Sequence, residues 1–306
     1  MKRVLVTGSS GFIGRHCLPF LLERGYELHG VVSENGLQLD IPGVEWHVAD
    51  LLNPIRAQSL IEGVEPTHLL HFAWYAKPGE YWASLENLRW LQAGLDILEV
   101  FKRCGGQRVL MAGTCAEYDW RYGYCSEHIT PLNPATLYGL CKKSLYEILM
   151  LFARQEGLSA SWGRIFFLYG SNEYPSRLIP SVVNSLLAGK PALCTIGNQI
   201  RDFMHVGDVA SAFSALLDSE VVGAVNIASG EPVTIKNIIL RIAEKLDRYD
   251  LVQFGAIPTP KAEPPLLLAD VNRLKNELGW MPSVSLDAGL DKTIDWWSRQ
   301  KNLFSA

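Results

Sequence analysis

The sequence predicts an α/β protein: a doubly wound parallel sheet joined by a smaller, partly interleaved C-terminal α/β part. Three observations predict it. A β-branched run ends in a glycine-spaced turn and passes into a helical apolar pattern over residues 4–22. Short apolar runs then alternate with helical periods to about residue 165, as strand–helix–strand units require. Beyond that point the regularity weakens, and short strands mix with helices and a proline-rich stretch.

Val4 to Val6 suits a strand buried on both faces of a parallel sheet. Gly8, Gly11 and Gly14 follow at every third position, and Ile13, Cys17, Leu18, Leu21 and Leu22 carry helical spacing. The first glycine permits a sharp turn out of the strand. The second lets backbone approach a pyrophosphate, and the third lets the helix pack closely on the sheet. Free amides at the helix start attract phosphate. Together these features predict a Rossmann-type dinucleotide site. Leu28 to Val32 reads as the second strand. Ser33 just after it, with Arg15 after the third glycine, suits the 2′-phosphate of NADP(H), which is favoured. Glu34 suits the ribose hydroxyls of NAD(H), the alternative.

Val44 to Ala49 alternates as a short strand before Asp50-Leu51, and Leu69 to Ala73 and Val109 to Ala112 are apolar strands. Residues 81–101 and 136–153 have helical periodicity. Ile165 to Leu168 reads as a strand, 177–188 as a helix, and Phe203 to Leu217 contains a helical face. Ala224 to Ile227 is a further strand, and Ile235 to Leu246 an amphipathic helix. Pro258, Pro260, Pro264 and Pro265 forbid a continuous helix before the last one, around 286–298. The predicted division is a dinucleotide-binding domain of residues 1–164 plus about 200–228, and a substrate domain of about 165–199 plus 229–306.

At 306 residues the chain can bury a large core, and 48% hydrophobic with 20% charged residues is an ordinary globular composition. A net charge of −4 gives no electrostatic reason to expect nucleic acid, and no run of membrane-spanning length occurs. The chain passes from Met1-Lys2-Arg3 directly into the first strand, so no signal peptide is expected. Six cysteines without paired spacing suggest reduced thiols in a cytoplasmic protein, with neither disulfides nor a zinc site. His68 and His71, three apart on a strand, point to opposite faces, and no metal site is expected.

Tyr138 and Lys142 are four apart near the start of a helix, hence on one face. A phenol loses its proton near pH ~10 in water, and a neighbouring ammonium lowers that value toward useful acid–base work. Thr114 ends a predicted strand at the crevice where such sheets bind ligands, and its hydroxyl would hold a substrate oxygen beside the phenol. Trp74, Tyr75, Trp82, Tyr118, Trp120, Tyr122 and Tyr124 follow two strand ends, and as a group suit a sugar-sized pocket.

With these residues in hand the chain resembles an extended short-chain dehydrogenase/reductase, of the nucleotide-sugar epimerase, dehydratase and reductase branch. The likeness spans nearly the whole length: Thr7 to Gly14, Asp50-Leu51, His71-Phe72-Ala73, Asn87, Thr114 with Tyr138 and Lys142, Arg164, Tyr169-Gly170, Arg201 to Val209, Asn226 to Gly230, and Glu277 to Pro282. It implies a cofactor lined by the glycine turn with Ser10, Phe12 and Ile13, by Asp50 and Leu51 at the adenine, and by Phe72 and Ala73. It implies Thr114, Tyr138 and Lys142 as the catalytic set, Lys142 also holding the nicotinamide ribose, and Arg201 meeting a substrate phosphate. A homodimer through the 81–101 and 136–153 helices is the family expectation.

Departures narrow the reaction. Dehydratases of this family carry Asp-Glu after the strand threonine, because eliminating water needs an added acid and base; here Cys115 and Ala116 stand there. Glu117 occupies a usually apolar position before Tyr118, either entering the site or serving as a satisfied polar group. Phe167 replaces an asparagine that meets the substrate's nucleotide. With Trp74, Cys115, Glu117, Tyr118, Phe167 and Arg201 as candidate substrate contacts, three functions compete. The first is an NADP(H)-dependent reductase of a nucleotide-linked 4-keto sugar, resembling those that make dideoxy sugars from CDP-linked 4-keto-6-deoxyhexoses. The second is a nucleotide-sugar C4 epimerase with tightly held NAD. The third is a catalytically silent dinucleotide sensor.

Overall fold

β1 (Arg3–Thr7) runs into the interior as a string of buried residues and turns at Gly8 into α1 (Gly14–Glu23). The computed structural model describes residues 2–36, 38–260 and 263–305. β2 (Glu27–Val32) and β3 (Val44–Val48) continue outward from β1. α2 (Pro54–Val64) then leads to β4 (His68–His71), α3 (Glu86–Arg103) to β5 (Arg108–Thr114), and, past the two-residue β6 (Tyr124–Cys125), α4 (Leu137–Glu156) to β7 (Ser159–Ile165). With β11 (Gly223–Ile227), these make a seven-stranded sheet in the order β11-β7-β5-β4-β1-β2-β3. Every neighbouring pair in it is parallel.

The order reverses between β1 and β4, so the chain leaves these two strands in opposite directions and a crevice opens at their C-terminal ends. Gly8 and Ala73 lie at its floor. Gly8 has φ +66°, and a Cβ there would stand 2.9 Å from Ala73 N. Thr7 ties the two strand ends together: its Oγ1 lies 2.8 Å from His71 Nδ1 and accepts from Ala73 N at 3.2 Å.

β8 (Phe167–Tyr169), α5 (Leu178–Leu187), β9 (Ala192–Cys194) and β10 (Ile200–His205) follow β7, and α6 (Val206–Leu217) precedes β11. β12 (Pro232–Thr234), α7 (Ile235–Leu246), β13 (Val252–Phe254), β14 (Leu266–Ala269) and α8 (Leu286–Ser305) complete the chain. A second sheet runs β12-β10-β14-β6, with β8 also on β10, and β9 pairs β13. The late segments interleave as expected, but the layers cross over at His205: β10 lies in the smaller sheet while α6 packs on α1.

Several elements depart from the sequence expectation, the short strands of the smaller sheets among them. α2 was not expected, although Asn53 caps it by accepting from Ile55 N and Arg56 N and Pro54 opens it. The strand placed at Ile165–Leu168 is two strands that meet at Phe166, the longer formed by small residues such as Ser159, Ala160 and Ser161 deep in the sheet. β10 hides charged Asp202 inside, where its carboxylate accepts from Ser229 N and Oγ and from Gly230 N.

Candidate active site

The glycine turn is built closely enough to exclude side chains. A Cβ on Gly14 would lie 2.2 Å from Gly8 O, and one on Gly11 would lie 3.0 Å from the same atom. No side chain caps the start of α1 at Ile13, and of its first amides those of Arg15 and His16 donate to Gly11 O at 3.2 Å and Ile13 O at 3.0 Å. Ser10, Phe12 and Ile13 are half-buried around this turn, with Gly11 exposed at its tip. Ser33 is exposed just past β2, and Glu34 beside it pairs with Arg56. Arg15, expected to meet a 2′-phosphate, instead donates to Ser10 O through Nε at 3.1 Å and Nη2 at 2.6 Å, and to Asn172. Asp50 is exposed, its carboxylate accepting from Leu52 N at 3.0 Å, while Leu51 is buried beneath it. Phe72 packs edge-on against Phe213.

Across the crevice, Thr136 caps α4 by accepting from Gly139 N at 3.1 Å, which sets Tyr138 and Lys142 on the helix's first turns. Tyr138 stands near Thr114, whose own hydroxyl at the end of β5 accepts from Ala116 N at 3.2 Å. The phenol stands in an aromatic wall: Tyr81 meets it edge-on at 4.9 Å, Trp82 at 5.8 Å and Trp74 at 6.5 Å. Burial raises its pKa above the ordinary tyrosine value, Tyr81 adds to the rise, and Thr114 opposes it. Lys142, expected to lower it, is not among the groups that shift it.

Lys142 is buried, donating to Ala112 O at 2.8 Å, with its Nζ 3.7 Å from the centre of the Trp74 ring. Burial lowers its pKa to about 7, and Glu117 opposes the fall. Trp74, expected against substrate, is the platform under this cation; its own Nε1 donates to Asn87 Oδ1 at 2.8 Å. Asn87 is fully buried and also donates to Tyr81 O and Ser84 O, fixing the loop that carries the wall.

Glu117 and Tyr118 do not face the crevice. The Glu117 carboxylate accepts from Thr114 N (2.8 Å), Trp162 Nε1 (2.9 Å) and Arg164 Nε (2.7 Å), closing a capping box on Thr114. Tyr118 donates to Asn226 Oδ1 at 2.8 Å and accepts from Arg164 at 3.1 Å. Both residues are therefore corrected from substrate contacts to supports of the strand end. Cys115 is buried, and its carbonyl accepts from Trp120 Nε1 at 2.8 Å. Phe167 packs on Phe203, with the Arg201 guanidinium 5.5 Å from its ring centre. Arg201 itself is buried and donates to Glu263 Oε1 at 2.8 Å, so its charge is met by a carboxylate of the chain.

Tyr81 and Glu263 were missed from the sequence. Tyr81 was absorbed into the helical period of 81–101, whereas α3 begins at Glu86. Glu263 lies in the proline-rich stretch, and only the fold brings it to Arg201.

A model of the NAD dependent epimerase/dehydratase family matches residues 4–228. UDP-glucuronic acid decarboxylase 1 of Danio rerio is 28% identical over 313 residues, covering 98% of this chain and 73% of that protein. UDP-glucuronate 4-epimerase of Thermodesulfobacterium geofontis is 27% identical over 320 residues, covering 97% and 96%. The crystal structure of Thermus thermophilus UDP-glucose 4-epimerase with NAD superposes with a TM-score of 0.83 at 26% identity, covering 96% and 98%.

Proposed function

The chain belongs to the NAD-dependent epimerase/dehydratase family, and we propose that it epimerises C4 of a nucleotide-linked sugar with a retained NAD. One observation carries the reading. Tyr138 stands near Thr114 and shares the Trp74 ring with buried Lys142, while Glu117, the carboxylate on the turn after Thr114, is fully engaged and unable to drive elimination of water. The glycine cradle, the uncapped start of α1 and the ammonium held between Ala112 O and Trp74 fit a dinucleotide. NAD, when bound, supplies the two-electron oxidant and reductant together with a positive charge.

In this reading Tyr138 would accept the proton of the sugar O4 hydroxyl while C4 is oxidised by bound NAD, and would give it back when C4 is reduced by the NADH so formed. Thr114 orients that oxygen. Lys142 holds the nicotinamide ribose, Arg201 meets the diphosphate in place of Glu263, and the aromatic wall of Trp74, Tyr81 and Trp82 excludes water. A relative described as a 4-epimerase and a solved 4-epimerase in complex with NAD support this choice over a 4-keto-sugar reductase. NAD replaces NADP(H) in the reading because Arg15 is committed to Ser10 O and Asn172. The proposed assembly is a homodimer through α3 and α4, whose exposed Leu88, Leu140, Ile148 and Leu151 ask for cover.

The test is turnover without cofactor consumption. Protein purified without added nucleotide is expected to carry NAD and to convert UDP-glucose or UDP-glucuronate to its C4 epimer, read by proton NMR. Stoichiometric oxidation of added NADPH by a 4-keto sugar, with no epimer formed, would replace this reading with the reductase.

A further inference from the structure

Away from the crevice, the outer edge of the large sheet gathers metal-binding side chains. β2 and β3 pair in parallel with His29 opposite Glu45, and β3 is the edge strand. Side chains two apart on a strand share a face, so Glu27 and His29 on β2 stand beside Glu45 and His47 on β3. His29 Nδ1 and His47 Nε2 are 2.9 Å apart, and the two rings stack at 5.2 Å. Glu45 reaches both: Oε2 lies 3.7 Å from His29 Nδ1, and Oε1 lies 3.7 Å from His47 Nε2. These three ligand atoms lie within 4.8 Å of one another. They line a recess of about 420 Å³, roofed by Leu60, Gly63 and Val64 of α2.

We propose that His29, Glu45 and His47 form a zinc-class divalent cation site that clamps the edge strand β3 to β2. Zinc takes imidazole nitrogens at about 2.0–2.1 Å in a tetrahedron, which sets neighbouring nitrogens about 3.3 Å apart. The present 2.9 Å separation needs to open by only a few tenths of an ångström. Glu45, largely exposed, swings in as the third ligand, and water from the open recess completes the set. A two-imidazole, one-carboxylate set suits zinc better than calcium or magnesium, which prefer oxygen. The far nitrogen of His29 is already supported: Nε2 faces Glu27 Oε1 at 3.4 Å, the carboxylate–histidine arrangement that orients metal ligands. Arg3, the cation nearest these groups, lies 3.0 Å from Glu27 Oε1 and donates to Val64 O, so its charge is balanced. The site rests on none of the groups assigned to catalysis.

The test is zinc titration of the chelator-treated full-length protein by calorimetry, with cobalt absorption as a reporter of tetrahedral ligands. One equivalent per chain at micromolar affinity or tighter is expected, with a thermal midpoint raised by about 5 °C under excess zinc. His47→Ala and Glu45→Gln, both at accessible positions, should weaken binding by at least about a hundredfold and about tenfold respectively, and Glu27→Gln by about tenfold. His47→Ala should also abolish the midpoint shift. Absence of stoichiometric binding, or equal affinity in parent and His47→Ala (zinc then sitting on thiols elsewhere), overturns the proposal.

Discussion

Replacing Lys142 by methionine should make the nucleotide-free protein more stable while removing its hold on NAD. An unfolded chain keeps the lysine proton up to the ordinary value of 10.5, whereas burial in the fold brings this down to about 7. Between those values the unfolded chain binds more protons, so the contribution of Lys142 makes stability rise with pH across that window. Below it the side chain is charged in both states, and burial costs the fold up to about 5 kcal/mol, at ~1.36 kcal/mol per pH unit. Methionine keeps the apolar stem but loses the 2.8 Å bond to Ala112 O and the contact with the Trp74 face. Each of these is worth about 1 kcal/mol. The net expectation is a gain of about 2–3 kcal/mol near pH ~6 that shrinks to within about 1 kcal/mol near pH ~10. Urea unfolding of parent and variant at the two pH values measures it, and NAD retention on a desalting column gives the functional counterpart. A variant less stable than the parent at the lower pH, or a difference independent of pH, would refute the reasoning. On the proposed reading, this is the trade of a binding site, in which a bound ligand gives the poorly solvated cation its partners.

Three further substitutions probe the rest of the site. Tyr138→Phe should leave NAD retention unchanged and lower kcat by about two to four orders of magnitude, with KM little altered, in the epimer assay. Glu117→Ala leaves the Arg164 guanidinium buried and uncompensated, and should cost about 3–5 kcal/mol in urea unfolding; the double variant Glu117→Leu/Arg164→Met should recover most of that loss. Gly14→Ala drives a Cβ to 2.2 Å from Gly8 O, and should destabilise by about 1–3 kcal/mol and yield protein free of NAD by absorbance.

Much of the large sheet was legible because a parallel strand buried on both faces is written as a bare apolar run, as in Val4–Val6 and Val109–Ala112. Legibility failed where burial was achieved by other means. Ser161 satisfies its hydroxyl on Val221 O, and the Asp202 carboxylate is met by backbone amides of a later loop, so neither strand shows an apolar signature. α2 is an instructive miss, since Asn53-Pro54 is a local start signal that periodicity alone overlooks.

The site divides along the same line. Tyr138 and Lys142 could be paired from sequence because four residues on a helix bring side chains to one face whatever surrounds them. Their surroundings could not be read so. Lys142 was expected to act on the phenol, yet its ammonium lies over Trp74, and Trp74 is there because Asn87 holds its indole and the loop behind it. Glu117 shows how the environment decides a role. The Glu117 carboxylate is turned inward, where Arg164 and Trp162 donate to it and the Thr114 amide completes its set, so it holds the strand end rigid. On the proposed reading, the chemistry left to the crevice is proton transfer through Tyr138 beside a dinucleotide, which suits oxidation and reduction at one carbon, while the engaged Glu117 offers no acid or base for elimination.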